Sequence, residues 1–203
     1  MNDLLKLCLG FLLTTVFGGL LGYYFQNRAW RHQFRIRLLE ANLAEANKLF
    51  DELSRLMDKR LYRMRQVHWK LKNPAAEEAL EKAMNSYREV LYEWNDALNR
   101  NLSLTETYFG AEIKRGLKGS IYEEFSRIGN LLESGYLKFR DNKGFYEWEQ
   151  PAEDLTRLGH RIYGLNIKMI RSIQKRQEGL SRPESHLEGA VGVAPNTGPQ
   201  SDG

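Results

Sequence analysis

The sequence predicts an all-α protein. A single N-terminal transmembrane helix continues into the long first helix of an antiparallel, coiled-coil-like four-helix bundle, and a disordered tail follows. Three observations predict this. The stretch Leu7 to Phe25 holds nineteen residues and no charge. Neither proline nor glycine occurs from Gln26 to Lys72. Beyond the anchor, apolar residues recur at three- and four-residue steps in four stretches separated by turn-forming residues. The chain divides on this reading into an anchor at 1–25, a basic juxtamembrane stalk at 26–42, a cytosolic helical bundle at 43–179 and a disordered tail at 180–203.

The anchor comes first. As a helix it spans roughly 28 Å, close to the hydrocarbon thickness of a bilayer, and a helix closes its own backbone hydrogen bonds in lipid. A cleaved signal peptide fits less well. Asp3 accompanies Lys6 in the leading segment, and the apolar run ends in Tyr23, Tyr24 and Phe25 rather than in small residues. Arg28, Arg31, Arg35 and Arg37 follow, with no acid until Glu40. Basic residues stay on the cytoplasmic side, so the short N-terminus is expected outside and the C-terminal domain in the cytoplasm. The same four arginines would attract anionic lipid. Gly10, Thr14, Gly18 and Gly22 recur every fourth residue, a small-residue spacing that lets transmembrane helices approach closely. Homodimerisation through this face is an expectation.

The first bundle helix is read from Leu39, Leu43, Ala46, Phe50, Leu53, Met57, Met64, Val67 and Leu71, widened by Leu49, Leu56 and Leu61. Arg60 falls on this apolar stripe and is expected to reach an acid on a neighbouring helix or to snorkel outward. Asn73-Pro74 interrupts the helix. The second stripe is Leu80, Met84, Tyr87, Leu91, Trp94 and Leu98, in a helix expected to end near Leu102. Ser103-Leu104-Thr105-Glu106 reads as a capping box that starts the third. Its stripe is Ile113, Leu117, Ile121, Phe125, Ile128, Leu132, Tyr136 and Phe139. Asp141-Asn142-Lys143-Gly144 is a turn signal, and a fourth stripe runs through Leu155, Leu158, Ile162, Leu165, Met169 and Ile173. From Gly179 onward large apolar residues become too few to offset the entropy of ordering.

Charge is distributed unevenly. The formal net charge is +4. Residues 26–72 hold twelve basic against five acidic residues, and residues 73–103 hold three against six. The first two bundle helices are therefore expected to attract one another. Lys59, Arg63, Arg65, Lys70 and Lys72, interleaved with Tyr62 and Trp69, form the densest basic stretch, a candidate partner surface or, with less support, a nucleic-acid grip over 59–72. Glu147, Glu149, Glu153 and Asp154 are read as complementing a helix N-terminus.

The chemistry of enzymes is not visible. The residues three before His32, His68 and His160 are Ala29, Arg65 and Arg157, so the Glu-x-x-His pair of di-metal helical proteins is missing. Cys8 is the single cysteine. No phosphate-binding loop or nucleophile elbow occurs. No catalytic, cofactor-binding or metal residue is expected, and the chain is not expected to be an enzyme. The sequence instead suggests a membrane-anchored interaction scaffold for a protein partner. The alternative is a sensor whose bundle controls self-association of the transmembrane helix.

Overall fold

The computed structural model describes residues 2–72, 77–141 and 149–181, and apart from Gly110 and Asp141 these are helical throughout. Helix α1 runs without a break over Asn2–Lys72, and α2 covers Glu77–Phe109. A third rod consists of α3 (Ala111–Arg115), a π-helical segment (Gly116–Tyr122) and α4 (Glu123–Arg140). The last helix, α5, covers Glu149–Ser181. The Asn73-Pro74 break, the turn residues after Asp141, Glu147 and the tail from residue 182 lie outside the described residues. Helix α5 extends past the expected tail boundary to Ser181. Pro151 sits in its first turn, where a missing N–H costs little.

The second boundary differs more. Helix α2 does not stop at Leu102 but continues to Phe109. Thr105 and Thr107 donate back along the helix to the Asn101 and Ser103 carbonyls at 2.6 and 3.0 Å, so the proposed box caps nothing. Burial of Asn101, Thr105 and Phe109 draws these two turns into the packed region. The break falls instead at Gly110, whose φ of 89° is a conformation that glycine reaches without strain.

Side-chain pairs define the neighbours. Lys59 meets Glu93 at 2.6 Å, and Arg100 pairs with Glu52, so α1 and α2 run antiparallel. The charge asymmetry between them is used only in part, because Arg100–Glu52 carries the opposite polarity. Ser54 Oγ donates to Asn166 Oδ1 at 3.0 Å, and Gly159 packs on Leu61 and Arg65, placing α5 antiparallel to α1. Trp94 against Phe125, with ring centroids 5.5 Å apart, and Arg88 with Glu133 set α4 against α2. Arg127 with Asp154 sets α4 against α5.

The apolar stripes meet between these helices. On α1 the fully buried set begins at Ala46, and Leu43 packs at its edge. Every residue of the third stripe from Ile113 to Tyr136, and every residue of the fourth, is buried. The third stripe advances in four-residue steps from Ile113 to Phe125. In an α-helix each such step drifts by about 40°. The π-helical segment inserts extra backbone per turn, which keeps Leu117, Ile121 and Phe125 facing inward.

Arg60 departs from expectation. It is only 1% exposed, so it does not snorkel. Among the described residues no carboxylate pairs with it. Its guanidinium carbon lies 4.6 Å from the Phe125 ring and 5.4 Å from the Trp94 ring. Neighbouring helices supply aromatic faces where an acid was expected, and these attract a cation through their quadrupoles. Burial pulls the Arg60 pKa down, opposed by the Tyr87 hydroxyl. An arginine so placed still stays protonated at neutral pH.

The acidic run at the start of α5 is also resolved differently at one residue. Asp154 does not face solvent at a helix end but is fully buried. It lies 2.8 Å from Arg127 and 3.5 Å from Arg157, and Gln150 donates to it at 3.2 Å. Glu124 joins the network through Arg127, at 3.1 Å, and through Arg161. The hydrogen bond from Arg127 is the main reason that the Glu124 pKa falls below its ordinary value of 4.5. A depressed carboxylate stabilises the fold above its unfolded pKa, and that stabilisation is lost as pH falls through the folded value. Urea midpoints are therefore expected to drop between pH 7 and pH 3, and Glu124→Gln should flatten part of that dependence. An identical pH profile in the variant would show that Glu124 is not a source of it.

Candidate functional site

The basic stretch of α1 becomes one wall of a groove. Tyr62 and Trp69 stand seven residues apart, two helical turns, and so share a side of the helix. Both are well exposed, at 57% and 61%. Ala79, Ala83 and Ser86 recur at helical spacing on α2 and face them. Small residues on that wall leave a furrow of about 600 Å³. Arg63, Lys70 and Lys82 also line it and make it positive.

A short polar relay orders the aromatic end. Arg63 Nη1 donates to Gln66 Oε1 at 2.9 Å, and Gln66 Nε2 donates to the Tyr62 hydroxyl, also at 2.9 Å. The Arg63 guanidinium lies 5.7 Å from the Tyr62 ring. Tyr62 is thus held by two contacts despite its exposure. Among the described residues Lys70 has no acidic partner, so its charge is available to an incoming group. His68, half-buried on the same helix, has its pKa lowered first by burial and then by Lys72.

The five basic residues singled out by sequence separate in space. Arg63 and Lys70 belong to the groove. Arg65 lines it as well, but its guanidinium lies over α5, 3.0 Å from where a Cβ on Gly159 would stand. Lys59 is turned to Glu93 and ties α1 to α2. Lys72 ends α1 outside the groove lining. The α2 wall was missed by sequence reasoning, although Ala79, Ala83 and Ser86 at helical spacing were a readable sign of close approach.

The candidates read from the first 42 residues occupy the exposed N-terminal part of α1. From Leu9 to Asn42 every residue is exposed except the half-buried Asn27. One stretch of this helix is long and apolar enough to cross a membrane by length and composition. Gly10, Gly18 and Gly22 have open space where a Cβ would stand. Thr14 and Thr15 return their hydroxyls to the Gly10 and Phe11 carbonyls at 2.8 Å, which satisfies both without water. Arg28, Arg31, Arg35 and Arg37 are all exposed, and Trp30 stacks on Phe34 with centroids 6.1 Å apart. Among the described residues no group of three or more His, Cys, Asp or Glu side chains is arranged to hold a metal ion.

Compared with known proteins, the chain matches no family model, no curated protein and no solved structure.

Proposed function

We propose that this is a single-pass membrane protein whose antiparallel four-helix bundle is an interaction scaffold in the cytoplasm. Its partner is an acidic protein segment with an apolar anchor, docked in the groove between α1 and α2. The observation that carries this reading is the groove itself, with exposed Tyr62 and Trp69 inside a basic rim. Aromatic residues and arginine dominate interface energetics, and an acidic segment complements the charge of Arg63, Lys70 and Lys82. The unbroken α1 favours a stand-off geometry, because Gln66 lies about 60 Å along the helix from Gln26.

The test uses the full chain in lipid nanodiscs. The probe is a labelled dodecapeptide of Asp and Glu around a central Leu-Phe pair, read by fluorescence anisotropy. Trp69→Ala is expected to weaken binding about 30-fold, the effect of losing a hot spot worth ~2 kcal/mol. Its exposure keeps the stability change within about 0.5 kcal/mol. Lys70→Glu with Lys82→Glu should weaken binding further and remove its salt dependence. Equal binding by all variants, or preference for a single-stranded oligonucleotide over the peptide, would reject the proposal. Protease protection of a tag after Gly203, in intact against opened cells, tests the orientation.

A further inference from the structure

A second cavity lies on the other side of α2 from the groove, and Arg60 is part of its lining. It measures about 320 Å³ and opens between α2 and the third rod. Arg60 comes from α1, Tyr87 from α2, and Tyr122 from the end of the π-helical segment. Asn95, Asn130 and the paired Arg88 and Glu133 complete the part that matters here.

Its charge and hydrogen-bonding state are unusual for a helical interior. Arg60 is almost wholly buried, and its Nε and Nη1 meet no hydrogen-bond partner among the described residues. Arg88 and Glu133 neutralise one another, which leaves one net positive charge at the cavity. The two unpartnered donors, Nε–H and Nη1–H, leave different edges of the guanidinium, so each can hold one anionic oxygen separately. Three tyrosines, Tyr87, Tyr92 and Tyr122, supply flat apolar surface, and two asparagines supply amides.

The backbone is adapted to the same place. A Cβ on Gly129 would overlap the Tyr87 hydroxyl, so only glycine leaves that hydroxyl beside Arg60. Glycine is disfavoured inside a helix, yet it is used here. The π-helical segment ends at Tyr122, which lines the cavity, and precedes Phe125, whose ring lies 4.6 Å from the guanidinium carbon; such segments recur at functional sites.

We infer that this cavity is a binding site for a small organic monocarboxylate, held by Arg60 and flanked by the tyrosine rings. The inference does not rest on the peptide groove, and it would survive loss of that reading. Desolvation strengthens the contact between a carboxylate and a buried guanidinium.

Benzoate is the probe, with the full chain in nanodiscs and chloride at matched ionic strength as control. Saturation-transfer NMR and the thermal midpoint are the readouts. The wild-type midpoint is expected to rise saturably with benzoate, and ligand signals should show transfer from aromatic protons. Arg60→Met is expected to weaken binding at least tenfold. Asn130→Phe fills the mouth from an exposed position, keeps Arg60 in place and should weaken binding to the same degree. Should Arg60→Met fail to fold, Asn130→Phe decides alone. No saturable effect of benzoate, or equal effects in wild type and Asn130→Phe, overturns the inference. Saturable binding of inorganic phosphate without binding of benzoate overturns the carboxylate assignment.

Discussion

Arg127→Met is expected to destabilise the packed helices by about 2–3 kcal/mol. The reason is what it leaves behind. Asp154 is enclosed, with its side chain 1% exposed, and Arg127 is its nearest cation at 2.8 Å. Methionine keeps the packing of the stem and removes the charge together with the donors to Asp154 and Glu124. The remaining contacts are weaker, with Arg157 at 3.5 Å and Gln150 at 3.2 Å, and they hold the loss below that of a fully orphaned ion. Arg127 itself is 45% exposed, so its own return to water is inexpensive. Asp154→Asn in the same chain is expected to recover more than half of the loss, because a neutral amide tolerates burial better. Urea unfolding of both variants, with the Asp154→Asn single variant, completes the cycle. A loss under 1 kcal/mol would place this contact among ordinary surface pairs.

Arg60→Met is expected to act in the opposite direction and to raise stability by about 1–2 kcal/mol. Two unpaired donors on a buried guanidinium each cost about 1–3 kcal/mol. The Phe125 and Trp94 faces return about 0.5–2 kcal/mol apiece. Methionine nearly matches the volume, leaves no polar atom unsatisfied and keeps favourable sulfur contacts with the rings. At roughly 2–4 °C per kcal/mol for a chain of this size, the thermal midpoint should rise by several degrees. Arg60→Lys should lower it, since an ammonium is more strongly hydrated and stacks less well. A fall of more than 1 kcal/mol in Arg60→Met would mean that the aromatic cage alone outweighs desolvation. A measured rise would mean that Arg60 is kept for a reason other than stability, a trade characteristic of binding sites.

Much of the helical pattern was readable because it depends on local periodicity. The stripes on α4 and α5, from Phe125 to Tyr136 and from Leu155 to Ile173, are buried as their spacing requires. The end of α2 was not readable, because Ser103 and Glu106 make a good box in isolation. Burial of Phe109 outweighs that local preference, and only the packed structure reveals it. Arg60 illustrates the same limit. Its place on the stripe was visible, but its neighbours come from residues 87, 94, 122 and 125, and nothing local announces that aromatic rings meet it. The π-helical segment left a faint trace in the repeated four-residue steps. The groove was half legible: Tyr62, Arg63, Trp69 and Lys70 stood out, whereas its opposite wall depended on which face α2 presents to α1.

The unbroken course of α1 has a mechanical meaning. Its two ends are geared together, since no proline, glycine or coil separates the glycine-bearing turns near Gly22 from the turns that carry Trp69. Rotation at one end arrives at the other with its phase preserved. Inserting a single residue between 26 and 42 would turn one end against the other by about 100°, and seven residues would bring it back to within about 20°. The heading in which the groove points is therefore written into the length of that segment, as the angle of a key is set by its shaft.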